Sequence, residues 1–292
     1  MKPTTFDYVR AESVPHAIRL LTENQPGARI IAGGQSLLAA MNFRMASPEM
    51  LVDIGDIEAL RDIVVSADGR LRIGAMTRHA DLEASPDIAT HAPLLRRAIR
   101  HVAHTAIRNR GTIGGSLSHA DPASELPACV VALDATIHIA GPEGERSIPA
   151  RQFFTGVHET ALRPGEILLA VEIDCIKPDE VSGFEEFARR HGDYAILGLG
   201  AQGRIASGRL SSVALAFFSV GNTPVLARNA AEALSDTTIA EPATRLRRAR
   251  EALASDLDPP SDPQASSAMR MELARVLLGR VVDNMLATRP EK

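Results

Sequence analysis

Cysteine is scarce in this chain. Two occur among 292 residues, Cys129 and Cys175. An ordinary iron–sulfur site takes four, so this chain alone holds none. Both sit in apolar runs, LPACVVAL and VEIDCIK, and read as buried, reduced core thiols. Long apolar runs are missing too. The longest candidate, residues 213–220, has the length of a strand and falls well short of the ~18 residues of a membrane-spanning helix. The opening MKPTTFDYVR lacks the apolar stretch of a secretory signal, so a cytoplasmic location is expected. Nor is there an excess of positive charge. The formal net charge is −4, which gives no general pull toward nucleic acid or an anionic membrane. Basic pairs such as Arg96-Arg97 and Arg247-Arg248 fall in helix-like segments and read as solvated faces. What remains, 45% apolar and 23% charged residues, is ordinary for a globular protein long enough for two domains or one large one.

Ser13 followed by Pro15 starts a helix, which Pro26-Gly27 ends. Residues 50–54 read as a strand. Residues 63–75 read as a hairpin turning at Ala67-Asp68-Gly69. The stretch 79–110 has a helical pattern broken at Pro86 and Pro93, with Leu94, Leu95, Ile99 and Val102 on one face. A short helix over 129–133, a hairpin turning at 141–144 and a strand over 165–173 follow. The polar break at 177–180 suits a domain boundary. Beyond it, 195–220 reads as long β-hairpins, 224–234 and 243–255 as helices, 256–263 as a proline- and acid-rich loop, and 266–286 as a last helix. The order is α+β with a mainly helical tail.

Gly198-Leu-Gly200-Ala-Gln-Gly203 matches G-x-G-x-x-G. A dinucleotide site of that kind needs a helix after the glycines to meet the pyrophosphate. Here Arg204-Ile-Ala-Ser-Gly208 continues like a strand, so these glycines read as hairpin residues or a close strand crossing. Two other stretches fit an anion better. Ala32-Gly33-Gly34-Gln35-Ser36 ends an apolar run with a glycine pair, and Thr112-Ile113-Gly114-Gly115-Ser116 repeats the form. Glycine permits close backbone approach and positive φ, which points successive N–H groups at a phosphate. The hydroxyls of Ser36, Thr112 and Ser116 add donors. Each stretch alone also fits an ordinary tight turn; two of one form favour a shared site. Farther on, Asp121-Pro-Ala-Ser-Glu125 supplies an acid that could accept hydrogen bonds from ribose hydroxyls, or cap the helix that follows. His101-x-x-His104 and His119 lack the converging third and fourth partners of a zinc site and read as helix-surface histidines. No metal site is expected.

AGGQSL, RNRGTIGGSLSHADPASELP, PGEIL and ARRHGDYA, in this order, resemble the FAD-binding subunits of the molybdenum hydroxylases. That family includes the medium subunit of aerobic carbon monoxide dehydrogenase and the flavin domain of xanthine dehydrogenase. The resemblance spans essentially the whole chain. It implies an α+β, vanillyl-alcohol-oxidase (PCMH)-type FAD-binding fold over 1–176, with subdomains of about 1–56 and 57–176. Residues 177–292 would form a C-terminal domain of a three-stranded sheet and a helical bundle. By motif, Ala32, Gly33, Gly34, Gln35 and Ser36 would hold the FAD pyrophosphate together with Thr112, Ile113, Gly114, Gly115 and Ser116. Glu125 takes the position of an FAD-binding acid, Leu168 that of a flavin contact, and Tyr194 would lie against the isoalloxazine. No catalytic residue is implied on this chain.

Three departures stand out. Glu185 and Glu186 stand where some members have a lysine. Gln35 stands where relatives of the wider fold carry a flavin-linking histidine, so FAD binding should be non-covalent. Ala268-Met269-Arg270 lacks a tyrosine found before the arginine in many members, which reads as packing variation. The implied enzyme has a large molybdopterin subunit that oxidises substrate and a small subunit with two [2Fe–2S] clusters. The present chain would pass electrons from its FAD to an external acceptor, in a dimer of heterotrimers. Two alternatives stay open at this point: a self-sufficient flavoprotein oxidase or reductase of the wider fold, and a cofactor-free scaffold.

Overall fold

In the structure, a computed structural model, residues 2–235, 237–238 and 243–287 are described. The first layer is small. β1 (Asp7–Arg10), α1 (Val14–Glu23), β2 (Ala28–Ile31), α2 (Leu37–Asn42) and β3 (Met50–Asp53) follow one another. The strands form a sheet in the order β1-β3-β2, both pairings parallel. Ser13 caps α1 by accepting the His16 N–H at 3.3 Å, with Pro15 in the first turn. Ala17 and Leu21 of α1 then bury against Val52 and Ile54.

The second unit opens with the hairpin β4 (Ile63–Val65) and β5 (Arg70–Gly74). The helical stretch that follows is four helices: α3 (His79–Ala84), α4 (Pro86–His91), α5 (Pro93–Ala98) and α6 (Thr105–Arg108). Pro86 and Pro93 each occupy a first turn, where the missing N–H does no harm. His101 and His104 therefore lie in the link between α5 and α6, not on one helical face. Next come α7 (Ile113–His119), α8 (Glu125–Ala132), β6 (Thr136–Gly141), β7 (Gly144–Pro149), α9 (Ala150–Phe153), β8 (Phe154–Gly156), β9 (Glu159–Thr160) and β10 (Ile167–Asp174). Five strands pair antiparallel in the order β4-β5-β10-β6-β7.

The third unit has β11 (Glu180–Ala188), β12 (Ala195–Ala206) and β13 (Arg209–Phe218), extended by β14 (Val225–Leu226). Then come α10 (Arg228–Leu234), β15 (Thr237–Thr238), α11 (Ala243–Asp256) and α12 (Ser267–Ala287). The expected helix at 224–234 thus begins as a short strand. Leu197 and Leu199 of β12 bury against Leu277, Leu278, Val281 and Val282 of α12. Arg270 is buried and ties α12 to the proline-rich loop, donating to the carbonyls of Ile196, Pro260 and Ala265 and to Asp262.

The other face of this sheet is not free. Phe184, Ala195, Ala216 and Phe218 belong to one core with Leu94, Leu95 and Cys129 of α5 and α8. Close strand packing explains the G-x-G-x-x-G string: it runs along β12, and a Cβ at Gly198 would stand 2.0 Å from the Phe218 ring. Cys129 is fully buried as expected, whereas Cys175, just past the end of β10, is only partly so.

Candidate functional site

β2 stops at Ile31, and residues 32–36 turn the chain into α2. Gly34 has φ +72, the left-handed region that suits glycine. The Gln35 amide nitrogen donates to the Gly33 carbonyl at 3.0 Å and curls the turn. The Ser36 hydroxyl makes no capping bond to α2. Most telling is Gly33, where a Cβ would lie 2.2 Å from the carbonyl oxygen of Arg110. The first glycine turn is therefore pressed, backbone to backbone, against the approach to the second.

That second stretch, read from sequence as a loop, is the first turn of α7. Thr112 caps it, its Oγ1 accepting the Gly115 N–H at 3.1 Å. Ile113 is fully buried, so its side chain faces the core. Gly114 donates its N–H to the Ala75 carbonyl at 2.8 Å, and a Cβ there would come within 2.6 Å of the Ala75 side chain. Ala75 in turn donates to the Leu169 carbonyl at 2.8 Å. Through this ladder the PGEIL strand, β10, sits one residue from the helix start. Leu168 itself is buried in the core on β10. Gly115 faces back to the first turn: a Cβ on it would lie 3.7 Å from the Ala32 Cβ. Ser116 lies one residue farther along α7.

Glu125 is the first residue of α8 and does not cap it, since Ser124 occupies the cap position. It is buried. Desolvation pushes its carboxyl up to about 8, and the nearby Glu186 and Asp121 add repulsion. Glu186, on β11, has one carboxylate oxygen 3.3 Å from His101 Nδ1, while its other oxygen is buried without a hydrogen-bond partner. Tyr194 is 63% exposed, yet its phenol is raised by partial burial and by the charges of Asp121 and Glu125. The structure thus gathers Glu125, Asp121, Glu186 and Tyr194 into one neighbourhood. Sequence reasoning met Glu186 only as an acid standing where some members have a lysine and gave it no role, because its contribution appears only once β11 and the α5–α6 link meet. It passed over His158, brought to His119 and Asp121 by the β8–β9 hairpin; no local spacing signals that encounter.

Two glycine segments in backbone contact, with a buried acid supplied from a neighbouring helix, suit a cofactor that carries a pyrophosphate and hydroxyl-bearing sugars. Residues 4–174 match the family model described as FAD binding domain in molybdopterin dehydrogenase, and residues 182–285 the CO dehydrogenase flavoprotein C-terminal domain. The chain belongs to this family. It is 40% identical to the 6-hydroxypseudooxynicotine dehydrogenase complex subunit alpha of Paenarthrobacter nicotinovorans, covering 100% of this chain and 98% of the relative. It is 34% identical to the carbon monoxide dehydrogenase medium chain of Afipia carboxidovorans, covering 98% and 99%. Among solved structures, a chain of quinoline 2-oxidoreductase from Pseudomonas putida 86 superposes with a TM-score of 0.94 at 36% identity, with full coverage of both chains. A chain of carbon monoxide dehydrogenase from Hydrogenophaga pseudoflava gives 0.95 at 32%, covering 98% and 99%.

The expected α+β flavoprotein fold is therefore the observed one. The chain carries the FAD-binding domain of these dehydrogenases and is an oxidoreductase subunit of the medium-chain type. Among the described residues, no helix is long and apolar enough to cross a membrane.

Proposed function

We propose that this chain is the electron-transfer flavin subunit of a molybdenum-containing hydroxylase or dehydrogenase. The observation that carries the reading is the pairing of the two glycine segments, Gly33 against Arg110 and Gly115 opposite Ala32, within a chain that matches the family's FAD-binding domain. Ala32 to Ser36 and Thr112 to Ser116 would hold the pyrophosphate with backbone N–H groups and hydroxyls. Ile113 would serve by anchoring α7, since its side chain is buried. Glu125 would take ribose hydroxyls, Leu168 would support the flavin from β10, and Tyr194 would cover the isoalloxazine. Bound FAD supplies the exchange between single electrons and electron pairs that an iron–sulfur relay and an external acceptor require. Gln35 offers no histidine for covalent attachment, so the cofactor is held by contacts alone.

On this reading the partners are a large molybdopterin subunit, where substrate is oxidised, and a small subunit with two [2Fe–2S] clusters, in a cytoplasmic dimer of heterotrimers. The domain boundary falls at 176/177, between the two matched segments. Purification of the natural complex tests all of this. The three chains should travel together, and the isolated chain should be yellow, release FAD on denaturation and leave substrate untouched. Substrate turnover by the chain alone would favour a self-sufficient flavoenzyme. A colourless chain that takes up no added FAD would overturn both readings.

A further inference from the structure

α7 starts at the second glycine pair and ends at His119, and an unusual local structure lies at that far end. Ala120 adopts φ 48 and ψ 44, a left-handed conformation that a residue with a Cβ seldom takes. Asp121 follows it. From another part of the chain, the turn between β8 and β9, comes His158, also left-handed at φ 56. The two segments are laced together: the His158 N–H donates to the Ala120 carbonyl at 3.1 Å. Strained residues of this kind concentrate where a ligand is clamped.

The side chains are arranged as ligands. His158 Nδ1 lies 3.0 Å from the His119 carbonyl oxygen. A carbonyl only accepts, so Nδ1 carries the proton and Nε2 keeps its lone pair. Fixing one ring nitrogen through a backbone carbonyl is how metal-binding imidazoles are usually oriented. The rings of His119 and His158 stack, with centroids 4.4 Å apart and planes at 28°. Asp121 Oδ1 takes the Ala123 N–H at 2.9 Å, which leaves its second oxygen available. One ligand atom from each of the three residues lies within 4.8 Å of the others. Ligands at zinc bond lengths stand roughly 3.3 Å apart in a tetrahedron. Binding would draw the three ligand atoms, now within 4.8 Å of one another, together by up to about 1.5 Å.

We propose that His119, Asp121 and His158 form a binding site for a divalent first-row transition ion, Zn²⁺ foremost. Two imidazoles with one carboxylate suit such ions, whereas Mg²⁺ and Ca²⁺ prefer all-oxygen shells. Three protein ligands leave a coordination position, which water fills at this partly exposed surface. The bound ion ties the segment after α7 to the β8–β9 turn. No electron or group is transferred.

The test uses tag-free full-length chain, stripped with chelator and kept loaded with FAD. Zn²⁺ is titrated calorimetrically, with Mg²⁺ as the control ion. One Zn²⁺ per chain is expected, with no response to Mg²⁺. Affinity should fall by about tenfold or more in His158→Ala and in Asp121→Asn, while the flavin ratio of His158→Ala stays unchanged. Co²⁺ added to FAD-free chain should give the visible bands of a nitrogen–oxygen site, a readout that needs no variant. No stoichiometric Zn²⁺, equal uptake of Mg²⁺, or wild-type affinity in both variants would each remove the site.

Discussion

Gly33 leaves no space for any side chain. The atom a Cβ would strike, at 2.2 Å, is a backbone carbonyl oxygen, and backbone cannot swing aside as a long side chain can. Gly33→Val should therefore drive the two glycine segments apart. Gly115→Val should do the same from the other side, more gently, because its nearest obstacle is the Thr112 hydroxyl at 2.9 Å. Both variants are expected to purify with a lowered 450 to 280 nm absorbance ratio; full flavin occupancy in both would remove the clamp. Glu125 makes a second prediction. A carboxyl pushed from 4.5 up to about 8 by burial binds a proton in the folded chain that the unfolded chain gives up sooner. Its contribution to stability is full below about 4.5 and is lost as the pH rises through about 8. In FAD-free chain, Glu125→Gln should flatten that decline, measured by denaturant unfolding across the range. An unchanged slope would place the titration elsewhere. The glycines were legible in the sequence because close backbone approach leaves no choice of residue. Glu186 was not, since an acid on a strand looks solvated until His101 and Glu125 are seen beside it.

At the scale of elements, the clearest departure from the sequence reading is α7. Thr-Ile-Gly-Gly looks like a loop because glycine disfavours helices by about 1 kcal/mol relative to alanine. Tertiary contacts override that preference. Ile113 is fully buried, Gly114 bonds the end of β5 through Ala75, and the Thr112 hydroxyl caps the turn. A helix that begins on two glycines depends heavily on its cap. Thr112→Ala should destabilise the FAD-free chain by about 1 kcal/mol and weaken FAD binding as well; Thr112→Ser should restore most of both. If denaturant unfolding finds Thr112→Ala as stable as the wild type, the capping bond contributes nothing. Elements with local signals were legible: the capped start of α1, the β4–β5 turn and the strand pattern of β12. Pro86 and Pro93 marked two of the three breaks in residues 79–110, but the link carrying His101 and His104 has no such marker.

For the whole molecule, the question is whether the two family segments are separable. Sequence alone put a boundary in the polar break at 177–180, and the two matched segments flank it. The core does not respect that line. Leu94, Leu95 and Cys129 pack in one cluster with Phe184, Ala195, Ala216 and Phe218, and such long-range contacts cannot be read from local pattern. The site is divided in the same way: the glycine segments and Glu125 come from the first part, Glu186 and Tyr194 from the second. A fragment ending at residue 176 should therefore expose apolar surface from α5 and α8 and lack Tyr194, the residue proposed to cover the flavin. It should aggregate or unfold at lower denaturant than the full chain, and any soluble fraction should bind FAD more weakly by calorimetry. Supplying residues 177–292 in trans should recover part of both losses by covering α5 and α8 again. A fragment as stable as the full chain, with the same FAD affinity, would mean that the shared cluster contributes nothing and that Tyr194 does not reach the cofactor.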